Sequence, residues 1–316
     1  MRTAVLGAGI MGTGIAQVCA EAGLDVVLES RSLANLEAAR ERIRKNQREL
    51  VAAGLLGERD ASAALARVRL TQDLGEAVGG ADFVSENIPE DLGLKQAFFR
   101  ELSRLARPTT ILSTNTSGLS ITAIAAAVDR PERVVGFHWL NPPHLMLPVE
   151  VTRGEKTSED TMEATITLAE RLGRRPLRVE RDRPGFLWNR LQMALLREAL
   201  HIVEQGIATP EAVDQAVELG LGLRWAAVGP FRIADLAGLP TFRAIAAYVY
   251  PELSTAATPQ SLLEDSIRRG HTGARAGRGF YAYPPGAHES LIGRRDARLI
   301  ALRQLLARDG RPERTL

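Results

Sequence analysis

Short apolar runs alternate with longer stretches in which apolar residues recur every three or four positions. The runs are Thr3–Leu6, Asp25–Leu28, Val68–Leu70, Ala81–Ser85, Thr110–Ser113, Val134–Phe137, Leu147–Val151 and Leu177–Val179. Runs of this length bounded by turn residues read as buried strands, and the periodic stretches between most of them read as helices. That alternation predicts a mostly parallel, doubly wound sheet. After Arg183 the pattern changes: Pro184-Gly185 opens a helical stretch to about Gln205, with Leu191, Leu195, Leu196, Ile202 and Val203 on one face. From there the chain reads as helical apart from turns. The expected fold is α/β: an N-terminal Rossmann-type doubly wound sheet (1–183) followed by an all-α C-terminal domain (184–316). Leu33 to about Ala66, broken at Gly54 and Gly57, reads as a helical pair inserted into the first domain.

The first strand runs into Gly7-Ala-Gly-Ile-Met-Gly12, and a helix follows. In that setting the three glycines form a dinucleotide fingerprint. Gly7 permits the tight turn, Gly9 lets a pyrophosphate approach the backbone, and Gly12 lets helix and strand pack closely. The helix N-terminus supplies N–H groups for the phosphates. At the end of the second strand, where an NAD site uses an acid, the register places Ser30 followed by Arg31. Alternation turns Glu29 to the other face. Ser30 and Arg31 suit the 2′-phosphate of NADP, whereas a one-residue slip would restore Glu29.

Polar clusters follow three later strands: Glu86 to Glu90, Thr114 to Ser117, and His138. Ligands of open α/β sheets bind at the carboxyl ends of the strands, so these clusters mark a site. His138 ends one strand, Glu150 lies in the next, and Asn141-Pro142-Pro143 forces a turn between them. A histidine held by a carboxylate is a general base near neutral pH, although a structural pair has the same residues. Glu198, His201 and Glu204 have a metal-like spacing but no second motif to complete a site; they read as surface or helix-pair residues, and no metal is expected.

Composition narrows the classes. With 316 residues, 45% hydrophobic, 25% charged and a net charge of +2, the chain has ordinary soluble character and no bulk charge for nucleic acid. The lone Cys19, on an apolar helical face, reads as a buried inert thiol. No secretory signal precedes the first strand and no run is long enough to cross a bilayer, so no membrane association and a cytoplasmic location are expected.

GAGIMG, SENIPE from Ser85, STNTSGLSI from Ser113, GFHWLNPP from Gly136, PGFLWNR from Pro184 and GRGFYAY from Gly277 together resemble the 3-hydroxyacyl-CoA dehydrogenase family over nearly the whole chain. The resemblance implies an NAD(P)-dependent oxidoreductase acting on CH–OH groups. His138 would be the base, Glu150 its partner, Ser117 a hydrogen-bond partner of the substrate hydroxyl, and Asn189 the group that positions the substrate oxygen. It places Ile10 and Met11 with the glycines at the cofactor, Glu90, Lys95 and Asn115 at its nicotinamide half, and Asn141 at the substrate. It also implies a homodimer and points to NAD, from which Ser30 departs.

The stretches from His138 to Thr157, Pro184 to Ile207 and Gly220 to Pro230 are more similar to the family's free-acid branch, the L-gulonate 3-dehydrogenase (lambda-crystallin) and 5-formyl-3-hydroxy-2-methylpyridine-4-carboxylate 5-dehydrogenase types. Arg224 there suits a substrate carboxylate, or equally a surface or interface position. The expected substrate is a small hydroxy or oxo carboxylic acid. Two alternatives remain: a short-chain 3-hydroxyacyl-CoA dehydrogenase, with the basic helical insertion meeting coenzyme A, and a non-catalytic crystallin-like protein.

Overall fold

The computed structural model describes residues 1–308. Strand β1 (Arg2–Leu6), helix α1 (Ile10–Glu21) and strand β2 (Asp25–Glu29) form the first βαβ unit. The inserted pair follows as α2 (Leu33–Ala52) and α3 (Glu58–Ala66), then β3 (Val68–Thr71), α4 (Leu74–Val78) and β4 (Phe83–Glu86). Next come α5 (Leu92–Leu105), β5 (Ile111–Thr114), α6 (Ile121–Ala125), β6 (Val134–Trp139), β7 (Pro148–Thr152), α7 (Glu159–Arg171) and β8 (Arg175–Val179). The expected strands are all present.

They form one sheet in the order β3-β2-β1-β4-β5-β6-β7-β8. Neighbours are parallel except β6 and β7, which the Asn141-Pro142-Pro143 turn makes antiparallel. The order reverses at β1 and β4, the switch point beside which such sheets bind ligands.

Alternation along each strand feeds two cores. Val26, Leu28, Val135, Phe137 and Trp139 join Ile15 of α1 and Leu36 and Ile43 of α2. Val27, Leu6, Leu112 and Val134 join Phe99 and Leu102 of α5 and Ile121 of α6 on the other face. The basic residues Arg40, Arg44, Lys45 and Arg48 of α2 lie exposed opposite its apolar stripe. Cys19 is buried, and burial pushes its thiol up to about 12, as an inert thiol requires.

The remaining helices are α8 (Trp188–Glu204), α9 (Pro210–Ala216), α10 (Gly222–Ala227), α11 (Pro230–Ala237), α12 (Leu239–Val249), α13 (Ser261–Arg268) and α14 (Ala287–Arg308). The described residues form two compact units, Met1–Arg190 with Arg294–Arg308, and Leu191–Gly293. This differs from the sequence division at 183 in two places. Residues 184–190 stay with the sheet because Glu150 binds the start of α8, and the end of α14 returns because Arg303 donates to the His144 carbonyl at 2.8 Å and Gln304 to that of Ala53. Residues 309–316 of the expected helical domain lie outside the described residues. In the second unit Glu198 accepts the Ser254 N–H at 2.8 Å and Glu204 accepts the Leu262 N–H at 2.7 Å. Glu204 thus joins α8 to α13, and Glu198 joins α8 to the segment that follows α12.

Candidate active site

The antiparallel register sets His138 directly opposite Glu150. His138 is 5% exposed and Glu150 1%, and Nδ1 of the imidazole lies 2.6 Å from Glu150 Oε2. A carboxylate in that place fixes the ring's orientation, and a neutral imidazole that donates to it from Nδ1 presents the lone pair of Nε2 on its other side. The second carboxylate oxygen, Oε1, accepts the N–H groups of Leu187 at 2.9 Å and Trp188 at 2.7 Å. Those are donors that the start of α8 leaves without intrahelical partners. Gly136 shares the His138 face, and a Cβ there would lie 2.9 Å from Ile121 and Thr152 side-chain atoms.

The helix expected from Pro184-Gly185 starts only at Trp188. Gly185 has φ 78°, and Phe186 has φ 48°, in the left-handed region that a bulky residue rarely adopts. Phe186 is buried, and its ring lies edge-on to His138 with centroids 6.0 Å apart. This strained residue was not singled out from the sequence. Strain of this kind is retained where surrounding contacts hold it, here at the turn that aims two N–H groups at Glu150.

Ser117 follows β5 in an exposed loop, and its carbonyl accepts Asn189 Nδ2 at 2.7 Å. Close approach of Gly118 to Gly185, where a Cβ would meet the Gly185 nitrogen at 3.1 Å, lets that loop reach the start of α8. Ser117, Asn189, Glu150 and His138 are therefore linked around one helix end. Glu90 is exposed and accepts the Ser117 N–H at 2.9 Å. Lys95, expected at the nicotinamide, is 1% exposed and lies 2.6 Å from Glu86. Asn115 is half-buried; its amide donates to Asn87 at 3.0 Å and accepts the Trp139 N–H at 2.8 Å. Asn141 is exposed at the turn after β6, and Arg224 is exposed on α10 in the second unit, with no ion pair among the described residues.

The glycine turn fits a dinucleotide. A Cβ on Gly12 would sit 1.9 Å from the Gly7 carbonyl oxygen, and one on Gly7 (φ 99°) 2.7 Å from that of Asn87, whereas one on Gly9 would meet nothing within 4 Å. Two glycines are thus required by packing, and the third faces open space. Helices α2, α4, α5, α6 and α7 have side-chain caps, but α1 begins at Gly9 with none. Its first N–H groups, beside the exposed Ile10 and half-buried Met11, are left for an anion. Asn87, from the polar cluster after β4, packs on this turn, whereas Gly14, whose Cβ position lies 2.5 Å from Pro143, escaped the sequence reading because its partner is distant in the chain.

At the end of β2 the pairing is Leu6 with Glu29, so Ser30 is the first residue beyond the strand. Glu29 shares its face with Val27, away from α1; burial raises its carboxyl, and Arg31 offsets part of that. The one-residue slip does not occur. Arg31 is exposed.

Residues 2–183 match the sequence profile of the 3-hydroxyacyl-CoA dehydrogenase NAD binding domain, and 185–283 that of the C-terminal domain of the same family. A 5-formyl-3-hydroxy-2-methylpyridine 4-carboxylate 5-dehydrogenase of Mesorhizobium japonicum is 36% identical over 96% of this chain and 97% of its own. A probable 3-hydroxybutyryl-CoA dehydrogenase of Bacillus subtilis is 39% identical over 88% of this chain and 96% of its own. A crystal structure of the pyridine-carboxylate enzyme, described as an NAD+ dependent dismutase, superposes with a TM-score of 0.91 at 36% identity, covering 97% of this chain and 98% of that one. Mycobacterium tuberculosis FadB2 gives 0.75 at 38% identity, covering 90% and 99%.

Proposed function

The chain belongs to the 3-hydroxyacyl-CoA dehydrogenase family, and within it we propose that this dehydrogenase acts on a small hydroxy (or oxo) carboxylic acid with His138 as general base. The observation that carries the mechanism is the buried His138–Glu150 pair, with its carboxylate also bound by two backbone N–H groups. Nε2 of His138 takes the proton of the substrate alcohol. Glu150 stabilises the imidazolium that results, and its fixed geometry keeps the ring oriented. The Ser117 hydroxyl and the Asn189 amide hold the substrate oxygen in line. Gly7, Gly9, Gly12 and the start of α1 hold a nicotinamide dinucleotide, which when bound accepts or returns the hydride. Ser30 and exposed Arg31 suit a 2′-phosphate, so we assign NADP alongside the NAD of the family profile.

The free-acid reading is supported by a relative that matches almost the full chain with a TM-score of 0.91. Arg224 is the residue we assign to the substrate carboxylate. A homodimer fits the exposed Phe231, Leu236, Leu239 and Tyr248 on α11 and α12. A second reading, a short-chain 3-hydroxyacyl-CoA substrate, has its own support. Several curated 3-hydroxybutyryl-CoA dehydrogenases are 35–39% identical to this chain, and a cavity of about 560 Å³ between α2 and α3 is lined by Arg44 and Arg48.

His138→Ala is expected to lower turnover at least ~100-fold with dinucleotide binding intact; near-wild-type turnover sinks the mechanism. Acetoacetyl-CoA reduction with NADH and NADPH both present separates the substrate readings. Brisk oxidation favours the acyl-CoA reading. Its absence, with turnover of small hydroxy acids that Arg224→Ala weakens, favours the free acid.

A further inference from the structure

His138 and Glu150 face each other one step from the end of the β6–β7 ladder, whose last pair is Trp139 with Val149. On its other side β6 is paired with β5 only as far as Gly136, so in the sheet His138 has β7 alone beside it. The closure of that ladder end depends on the turn that follows. Its two prolines donate no backbone hydrogen bond. The N–H groups of Leu145 and Met146 both go to the Pro142 carbonyl, at 3.0 Å. Two guanidinium groups bind the turn from outside. Arg303 donates to the His144 carbonyl at 2.8 Å, and Arg174, just before β8, donates to that of Met146 at 2.8 Å. Arg303 lies on α14, beyond residues 185–283, the part that matches the family's C-terminal domain.

Apolar side chains would fill these places without the desolvation cost of two cations. Arg174 is 7% exposed, and burial, then the charge of Arg303, lowers it to about 10. What the two side chains contribute is a charge-assisted hydrogen bond to each carbonyl. Those bonds hold the turn from its far end. Gln304, the next residue of α14, anchors the same helix elsewhere, by donating to the Ala53 carbonyl at the end of α2.

We propose that Arg303 is a positioning residue for the His138–Glu150 pair: with Arg174 it clamps the β6–β7 turn and keeps the end of the ladder closed. The proposal rests on the role of base given above to His138.

Arg303→Met keeps the stem and a good helix former and removes the donor. Amide exchange at Leu145 and Met146 is expected to quicken about tenfold, a reading that needs no substrate. Turnover, read on whichever of acetoacetyl-CoA and 3-hydroxybutyrate the wild type accepts, is expected to fall roughly tenfold, the scale of a small misplacement at a reacting group. KM for the dinucleotide stays within about twofold. Arg303→Lys restores most of the loss, because one bond to a carbonyl needs one donor and an ammonium has it. Gln304→Ala loosens the docking of α14 without touching the turn, and should leave both readings as in the wild type. In a cycle with Glu150→Gln, the double variant is no slower than Glu150→Gln alone. Arg303→Gln, tested the same way, serves if Arg303→Met does not fold. Unchanged exchange without Arg303, an equal loss in Gln304→Ala, multiplying effects in the cycle, or a raised dinucleotide KM with turnover intact each overturns the proposal. Full turnover in Glu150→Gln alone removes the role of the pair itself, and that variant reports it whatever Arg303 does.

Discussion

Glu150 is joined to Trp188 by a hydrogen bond that spans 38 residues of chain. Its Oε1 accepts the Trp188 N–H at 2.7 Å while its Oε2 lies 2.6 Å from His138 Nδ1. One carboxylate thus orients the imidazole and caps the helix that carries Asn189. The charge serves the first task, and any acceptor of the same shape serves part of the second.

Those tasks separate by substitution. Glu150→Gln retains an acceptor for Leu187 and Trp188 but no charge for the imidazolium, so turnover is expected to fall by ~100-fold or more with a near-native thermal midpoint. Glu150→Ala also leaves buried donors unpaired and should cost a further ~1–3 kcal/mol of stability. Equal stability for the two variants in urea titrations would show that the capping bonds contribute nothing.

The glycine turn offers a contrast between neighbours. Gly12→Ala places a methyl 1.9 Å from the Gly7 carbonyl oxygen and should destabilise the fold outright. Gly9→Ala meets nothing within 4 Å, so the thermal midpoint should hold while KM for the dinucleotide rises about tenfold or more. Unchanged dinucleotide KM in Gly9→Ala would place the pyrophosphate elsewhere.

Cofactor choice is read at Ser30. The wild-type protein is expected to use NADPH, and Ser30→Asp, which sets a negative charge at the end of β2, should lower kcat/KM for NADPH about tenfold or more relative to NADH. A wild type that turns over NADH alone would remove the assignment of Ser30 and Arg31 to a 2′-phosphate.

Stability should depend on pH through His144. It is 7% exposed, and burial, then Arg303, Arg174 and Arg295, lower it from 6.5 to about 4. Between those values the unfolded chain binds a proton that the folded protein does not, so its contribution is whole above pH 6.5 and is lost as pH falls toward 4. About 2 kcal/mol should disappear between pH 7 and pH 5. His144→Gln should flatten that part of the profile. Wild type and variant with the same slope in denaturant titrations would contradict this.

How much of this was legible beforehand follows from the distance over which each feature is decided. The strands, the glycine turn between β1 and α1, and the Asn141-Pro142-Pro143 reversal are set by neighbours in the chain, through side-chain period and the φ limits of glycine and proline. The facing of His138 and Glu150 follows from them, because a reversal with strand alternation leaves few registers. Ser30 beyond β2 was likewise a matter of counting along one strand.

Other features depend on partners far along the chain. Nothing beside Lys95 in the chain marks it as buried; only the fold brings Glu86 to it and buries both. Phe186 has no local preference for φ 48°, and takes it because Glu150 binds the two N–H groups that follow. The chain beyond Gln205 read as helical apart from turns, but nothing in it showed that Arg303 would bind the carbonyl of His144. The sequence by itself determined which elements form and which residues stand at the strand ends, because those are short-range choices of period and backbone freedom. Tertiary structure alone decided which buried charges pair, where α8 starts and where the last helix docks, because each depends on groups that only folding brings within hydrogen-bond reach.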